Sequence, residues 1–134
     1  MSRKRKVILI VVALIVVLAA GIAAVITIAE RNQIAVQNIT IEDCDLSQAP
    51  DGTYQGQYNA FPVIAEVEVT VKDHAITEID LIKHINGQGG GAESIPQEVV
   101  EAQSLLVDTV SGATYSSKVI LLAIRNALEN AAGE

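Results

Sequence analysis

The sequence predicts an α+β domain: a small antiparallel sheet of about three strands, covered by two helices and preceded by one transmembrane helix. Three observations carry this reading. Residues 7–29 are 23 residues without a charge. Residues 63–72 alternate strictly, with Val63, Ala65, Val67, Val69 and Val71 on one face and Ile64, Glu66, Glu68, Thr70 and Lys72 on the other, as a half-buried strand does. Two later stretches, one opening at Ser94 and one at Tyr115, place apolar residues at helical spacing. The sheet's apolar face and the two helical stripes bury one another.

The charge-free run divides the chain into a basic tail (1–6), a membrane anchor (7–29), a juxtamembrane linker (30–50) and one domain (51–134). As a helix the run spans about 34 Å, enough for a hydrocarbon core of about 30 Å with some tilt. A secretory signal usually has a shorter apolar region, although the alanines in 19–24 leave cleavage open. Arg3, Lys4, Arg5 and Lys6 stay cytoplasmic by the positive-inside rule, which places Glu30 onward on the extracytoplasmic side of the cell membrane. The linker has no clean period; it has room for one short strand and would hold the domain off the bilayer.

Asp51-Gly52 is a turn signal, and residues 53–58 read as a strand with Tyr54 and Tyr58 on one face and Gly56 between them. The next hairpin can be registered on paper. A two-residue loop at Asp73-His74 sets Val69 against Glu78 and Val67 against Asp80. A three-residue loop, 73–75, sets Val69 against Ile79 and Val67 against Leu81, which keeps one face dry. The second is expected, with a strand over 76–84 and His84 opposite Ile64 on the more polar face. Residues 86–91 hold four glycines and read as a flexible connector or as a wall against a ligand. Ser94, Pro96 and Gln97 open a helix whose apolar face is Ile95, Val99, Ala102 and Leu106. A second helix, about 115–131, turns Val119, Ile120, Ala123, Ile124, Ala127 and Leu128 to the sheet, and Gly133 ends it.

Charge is distributed unevenly. All sixteen acidic residues lie from Glu30 onward, against five basic ones, a net charge of −11. That argues against nucleic acid or an anionic membrane face as a partner. Cys44 is the single cysteine, so no disulfide forms within the chain. His74 and His84 lack a second ligand at metal-binding spacing, and no metal site is expected.

The stretch Asp108-Thr109-Val110-Ser111-Gly112-Ala113-Thr114-Tyr115-Ser116-Ser117 sits between the two helices. Gly112 permits a sharp turn, and Thr114 falls at or near a helix N-terminus, where backbone N–H groups and the dipole favour a phosphate. The pattern Asp108-x-x-Ser111-Gly112-Ala113-Thr114 resembles the flavinylation motif of the FMN-binding domain family. That family includes the flavin subunits of the sodium-pumping NADH:quinone reductase and of the Rnf complex. The likeness runs from about Asp51, where Asp-Gly-x-Tyr-x-Gly opens the domain, to Leu128.

The resemblance implies FMN joined through its phosphate to Thr114. It also implies a separate magnesium-dependent FAD:protein FMN transferase that moves FMN from FAD and reads Asp108, Ser111, Gly112 and Ala113. Ser116 and Ser117 offer further hydroxyls, and His84 and Gln103 are candidate flavin neighbours. With Ser111 as N-cap, Thr114 stands at the third helical position with its hydroxyl available. The family's larger members carry a longer segment before the first helix; the short one here suggests an exposed ring. The expected function is a membrane-anchored extracytoplasmic electron carrier rather than a self-standing enzyme. Its donor would be a membrane flavoprotein or a quinone-linked protein. The alternative is an anchored non-redox binding or sensor module with non-covalent flavin or none.

Overall fold

The computed structural model describes residues 1–85 and 90–133. The charge-free run lies within a single helix, α1 (Arg3–Asn38), 36 residues long. Among the described residues it is the one helix long and apolar enough to cross a membrane. The helix does not stop where the charges begin. It runs nine residues further, about 13 Å, because those residues find partners in the domain. Val36 is buried, Asn32 Nδ2 donates to the Phe61 carbonyl at 2.9 Å, and Lys118 Nζ donates to the carbonyls of Gln37 at 2.8 Å and Ile39 at 3.2 Å. A cation at a helix C-terminus meets the negative end of the dipole and the last unpaired carbonyls. The short strand expected in 30–50 is therefore absent. The segment is helical to Asn38, has one 3-10 turn at Leu46–Gln48, and packs Ile39, Ile41, Cys44 and Leu46 against the core.

Three strands follow, β1 (Gly52–Ala60), β2 (Val63–Lys72) and β3 (Ala75–Ile85), in an antiparallel sheet of order β1-β2-β3. The alternation read in β2 is the alternation found: Val63, Ala65, Val67, Val69 and Val71 are all buried. The β2–β3 register is the expected apolar pairing reached by a different turn. Lys72 pairs with Ala75 and Val71 with Ile76, so the loop is the two-residue Asp73-His74. Both loop residues have positive φ (50° and 61°), as the strand twist requires of a two-residue hairpin. The register then shifts by one at Thr77, and Val69 meets Ile79 and Val67 meets Leu81. Thr77 is the extra residue of a bulge, and its hydroxyl donates to the Thr70 carbonyl at 3.3 Å.

A second shift, at Ile82, moves His84 from the expected position opposite Ile64 to one opposite Ala65. That turns His84 onto the helix-covered face, where its side chain is 2% exposed.

Two helices cover that face: α2 (Ile95–Ala102) and α3 (Thr114–Ala131). The expected α3 stripe is buried throughout, joined by Leu121 and Leu122. The expected α2 stripe holds only for Ile95 and Val99. The helix ends at Ala102 because Gln103 is left-handed (φ 51°). The chain then turns, leaving Leu106 exposed and Leu105 buried. Ser94 stands at the N-cap position of α2 without a capping bond to the backbone; its hydroxyl instead contacts the Gly91 carbonyl at 3.3 Å and Glu98 Oε1 at 3.1 Å.

The linker is closed onto the α2–α3 connection by Asp43. Its carboxylate accepts from Ser104 Oγ (2.7 Å), the Leu105 N–H (3.0 Å) and the Cys44 N–H (3.0 Å). Burial raises this carboxyl, but the three donors outweigh it and hold it below the usual carboxylate range. A group whose pKa falls on folding contributes stability above its unfolded value, about 3.9. That contribution is lost as pH drops through the lower folded value. The Leu105 amide proton is therefore expected to shift in an acid step below about pH 4, and Asp43→Asn is expected to abolish the step in an NMR titration. Burial, with Glu129 adding to it, pushes the neighbouring Cys44 thiol up, which makes it a weak nucleophile.

Candidate functional site

Residues 108–113 leave α2 and reverse direction at Gly112, whose φ of 79° is the left-handed region that glycine enters at little cost. The space around Gly112 is open. The Ala113 N–H donates to the Val110 carbonyl at 2.9 Å, and α3 begins at the next residue. Its N-cap is Ala113, not Ser111, and no side chain caps it. The alanine side chain carries no oxygen with which to bond the first-turn N–H groups, so no capping side chain occupies those donors. Thr114 is thus the first helical residue rather than the third. It is exposed, and among the described residues no hydrogen bond engages its hydroxyl. The hydroxyl is available, as expected, but because the cap is an alanine. Asp108 and Ser111 are also exposed.

Ser116 and Ser117 are 2% and 0% exposed. Ser117 is a brace inside the motif. Its hydroxyl donates to the Ala113 carbonyl at 2.7 Å and accepts from the Val110 N–H at 3.1 Å. One side chain thereby ties the turn to the first turn of α3. Ser117→Ala leaves the Val110 N–H without that acceptor, a loss of about 1–3 kcal/mol. The expected result is a lower midpoint in urea together with a mobile 108–113 loop by amide exchange.

Tyr115 fastens the same helix end to the sheet: its hydroxyl donates to the Ala60 carbonyl at 2.7 Å. Burial raises this phenol, with Tyr58 adding to it, so it stays a donor. Nothing local in the sequence signals this bond, which spans 55 positions.

His84 comes to this end of the domain. Its Nδ1 lies 3.4 Å from Glu93 Oε1, in the 3-10 turn Gly90–Ser94. That turn rests on the motif loop: a Cβ added at Gly91 would sit 3.4 Å from Val110 Cγ1 and 4.0 Å from Ala113 Cβ. Asn86 to Gly89, the part of the glycine-rich loop read as a possible wall against the ligand, lie outside the described residues.

Gln103 is not brought to this end. Its amide accepts from the Ile76 N–H (2.8 Å) and donates to the carbonyls of Ile76 (2.7 Å) and Val100 (2.6 Å). It clamps the start of β3 to the end of α2, at the opposite end of the sheet from His84. Neither of two surface depressions contains Thr114. One, of about 630 Å³, lies along β1 between Gln55, Gln57, Ile82 and Asn130. The other, of about 350 Å³, lies between β3 and α2. Among the described residues no cluster of His, Cys, Asp or Glu could hold a metal.

A three-stranded sheet backed by two helices, with a glycine turn delivering an exposed threonine to an uncapped helix start, defines a small α+β domain built to present a hydroxyl beside anion-stabilising N–H groups. Residues 64–129 match the FMN-binding domain family. The chain is also 33% identical over 96 residues to the NADH:acrylate oxidoreductase of Vibrio harveyi. That alignment covers 66% of this chain and spans about a tenth of the length of the relative.

Proposed function

We propose that the chain is a membrane-anchored, extracytoplasmic electron carrier whose FMN is joined through its phosphate to Thr114. The observation that carries this reading is the exposed Thr114 at the first position of an 18-residue helix whose N-cap is alanine. The residues fit the group. The phosphodiester keeps one negative charge, which the first-turn N–H groups and the helix dipole stabilise by about 0.3–1 kcal/mol when exposed. Gly112 and Ala113 place no bulk beside it. His84 and the Gly90–Ser94 turn border the same end. The bound flavin supplies electron transfer.

Attachment belongs to a separate magnesium-dependent FAD:protein FMN transferase, for which Asp108, Ser111, Gly112 and Ala113 are the recognition residues. The Thr114 Oγ–phosphorus bond forms, the pyrophosphate bond of FAD breaks, AMP leaves and the hydroxyl proton is released. The oxidoreductase named above supports a redox setting, as part of a much longer protein. Positive charge in the first turn of α1, ahead of its charge-free run, supports the orientation, with the domain outside the cytoplasmic membrane. The electron donor is then a membrane flavoprotein or a quinone-linked protein. Tethering keeps the flavin concentrated beside such a partner.

The test is co-expression of the full chain with and without an active transferase. Denatured protein should fluoresce under ultraviolet light only with the transferase, and its intact mass should rise by one FMN less water. Full-length protein that stays colourless and unmodified beside an active transferase rules the reading out.

A further inference from the structure

We propose that the Phe61-Pro62 turn rests on the lipid surface that α1 enters, so that the Thr114 end of the domain faces the bilayer. This rests on α1 spanning a membrane, as proposed above, and not on the flavin. Helix α1 continues unbroken from the charge-free run into the domain. Asn32, which holds the Phe61 carbonyl, lies three residues beyond Ala29, about 4.5 Å along the helix axis. The turn between β1 and β2 is therefore held about one helical turn above the end of the apolar run.

Two large exposed side chains near that level are apolar. Phe61 is 45% exposed and Ile85 47% exposed. Ile85 pairs with Ile64, next to the same turn. After α1, the other large exposed hydrophobic residues among those described are Ile82 and Leu106. An aromatic side chain held at the headgroup boundary gains by leaving water. The domain cannot swing freely away from this contact, because Val36 is buried against it and Lys118 holds the carbonyls of Gln37 and Ile39.

The orientation carries the motif with it. Tyr115 bonds the carbonyl of Ala60, the residue before Phe61. The start of α3 therefore shares the bilayer-proximal end of the domain with the turn. The Asp73-His74 turn points the other way, at the far end of the ten-residue β2, about 30 Å distant. A cofactor on Thr114 is presented to the plane of the membrane, not to the outer medium.

The chain has no tryptophan, so a single substitution creates a unique reporter. Full-length Phe61→Trp, reconstituted into phosphatidylcholine vesicles, should emit to the blue of free indole. It should lose most of its intensity when the lipid is brominated high on the acyl chain. Lys72→Trp, at the opposite end of β2, should emit as in water, ignore the brominated lipid and be quenched by iodide. Ile85→Trp reads the same end as Phe61→Trp and decides the matter if that variant fails to fold by far-ultraviolet circular dichroism. A Phe61→Trp or Ile85→Trp chain that floats with vesicles yet matches Lys72→Trp overturns this proposal alone. Failure of the chain to float overturns it together with the anchor. Absence of covalent flavin overturns the proposed carrier function and leaves the lipid contact standing.

Discussion

Thr114→Val is expected to abolish the covalent flavin completely while leaving the fold intact. Valine keeps the branched shape and removes the one oxygen that can be esterified. Thr114 is exposed at the first position of α3 and makes no hydrogen bond through its hydroxyl among the described residues. Its replacement should cost under about 0.5 kcal/mol. Denatured Thr114→Val should show no fluorescence after co-expression with the transferase, and its mass should be that of the bare chain. Ser111→Ala separates two roles for the neighbouring hydroxyl. Were Ser111 the N-cap, the variant would lose about 1 kcal/mol. With Ala113 as the N-cap, the melting curve should be unchanged and only the labelling rate should fall, as expected of a residue read by the transferase. Labelled Thr114→Val would move the attachment to another hydroxyl of the motif, Thr109 or Ser111 before the buried Ser116 and Ser117.

The fold class and both long apolar stripes were legible in the sequence because each is set by local period. The valines of β2 and the α3 stripe bury as their spacing requires. What the sequence did not reveal depends on partners far along the chain. The helical extension of α1 to Asn38 is held by Lys118, about 80 positions away, and periodicity carries no trace of it. The β2–β3 pairing was right for Val67 and Val69, but the extra residue sits in a bulge at Thr77 instead of in the turn. A second bulge at Ile82 reverses the face of His84, since a one-residue slip flips a side chain across the sheet. The site shows the same division. Asp108 to Thr114 were visible as a motif, and Gly112 does turn the chain. The cap assignment failed because Ser111 lies inside the Val110–Ala113 turn that Ser117 closes, and α3 starts only after that turn.

Gly56→Ala is expected to be the most destabilising small substitution in the domain. Gly56 is buried in β1 and is not among the positive-φ residues, so backbone freedom is not what it supplies. It supplies room. A Cβ there would collide with the carbonyl oxygen of Ala123 and the backbone nitrogen of Ala127, and would lie 2.8 Å from the Ala127 Cβ. Backbone atoms of a packed helix cannot rotate aside; α3 would have to move off the sheet.

Two asparagines one helical turn apart oppose that movement. Asn126 Nδ2 donates to the Gln57 carbonyl at 2.7 Å, and Asn130 Nδ2 to the Gln55 carbonyl at 2.9 Å, on either side of Gly56. These bonds also cover the edge of β1, which has no strand partner on that side. Overpacking costs about 1–3 kcal/mol, and strained hydrogen bonds add about 0.5–1.5 kcal/mol each. A loss of about 3 kcal/mol or more is expected, which lowers Tm by about 12–24 °C in a domain of this size.

The penalty should depend on the clamp. In an Asn130→Ala background α3 is freer to shift, so Gly56→Ala should cost less there than in the parent, a coupling that a double-mutant cycle measures directly. Because α3 carries Thr114 at its other end, Gly56→Ala should also reduce flavin labelling at temperatures where the domain is still folded. A Gly56→Ala domain that melts within about 1 kcal/mol of the parent would mean that α3 rides on the sheet with slack, and that the Ser117 and Tyr115 bonds alone place the motif.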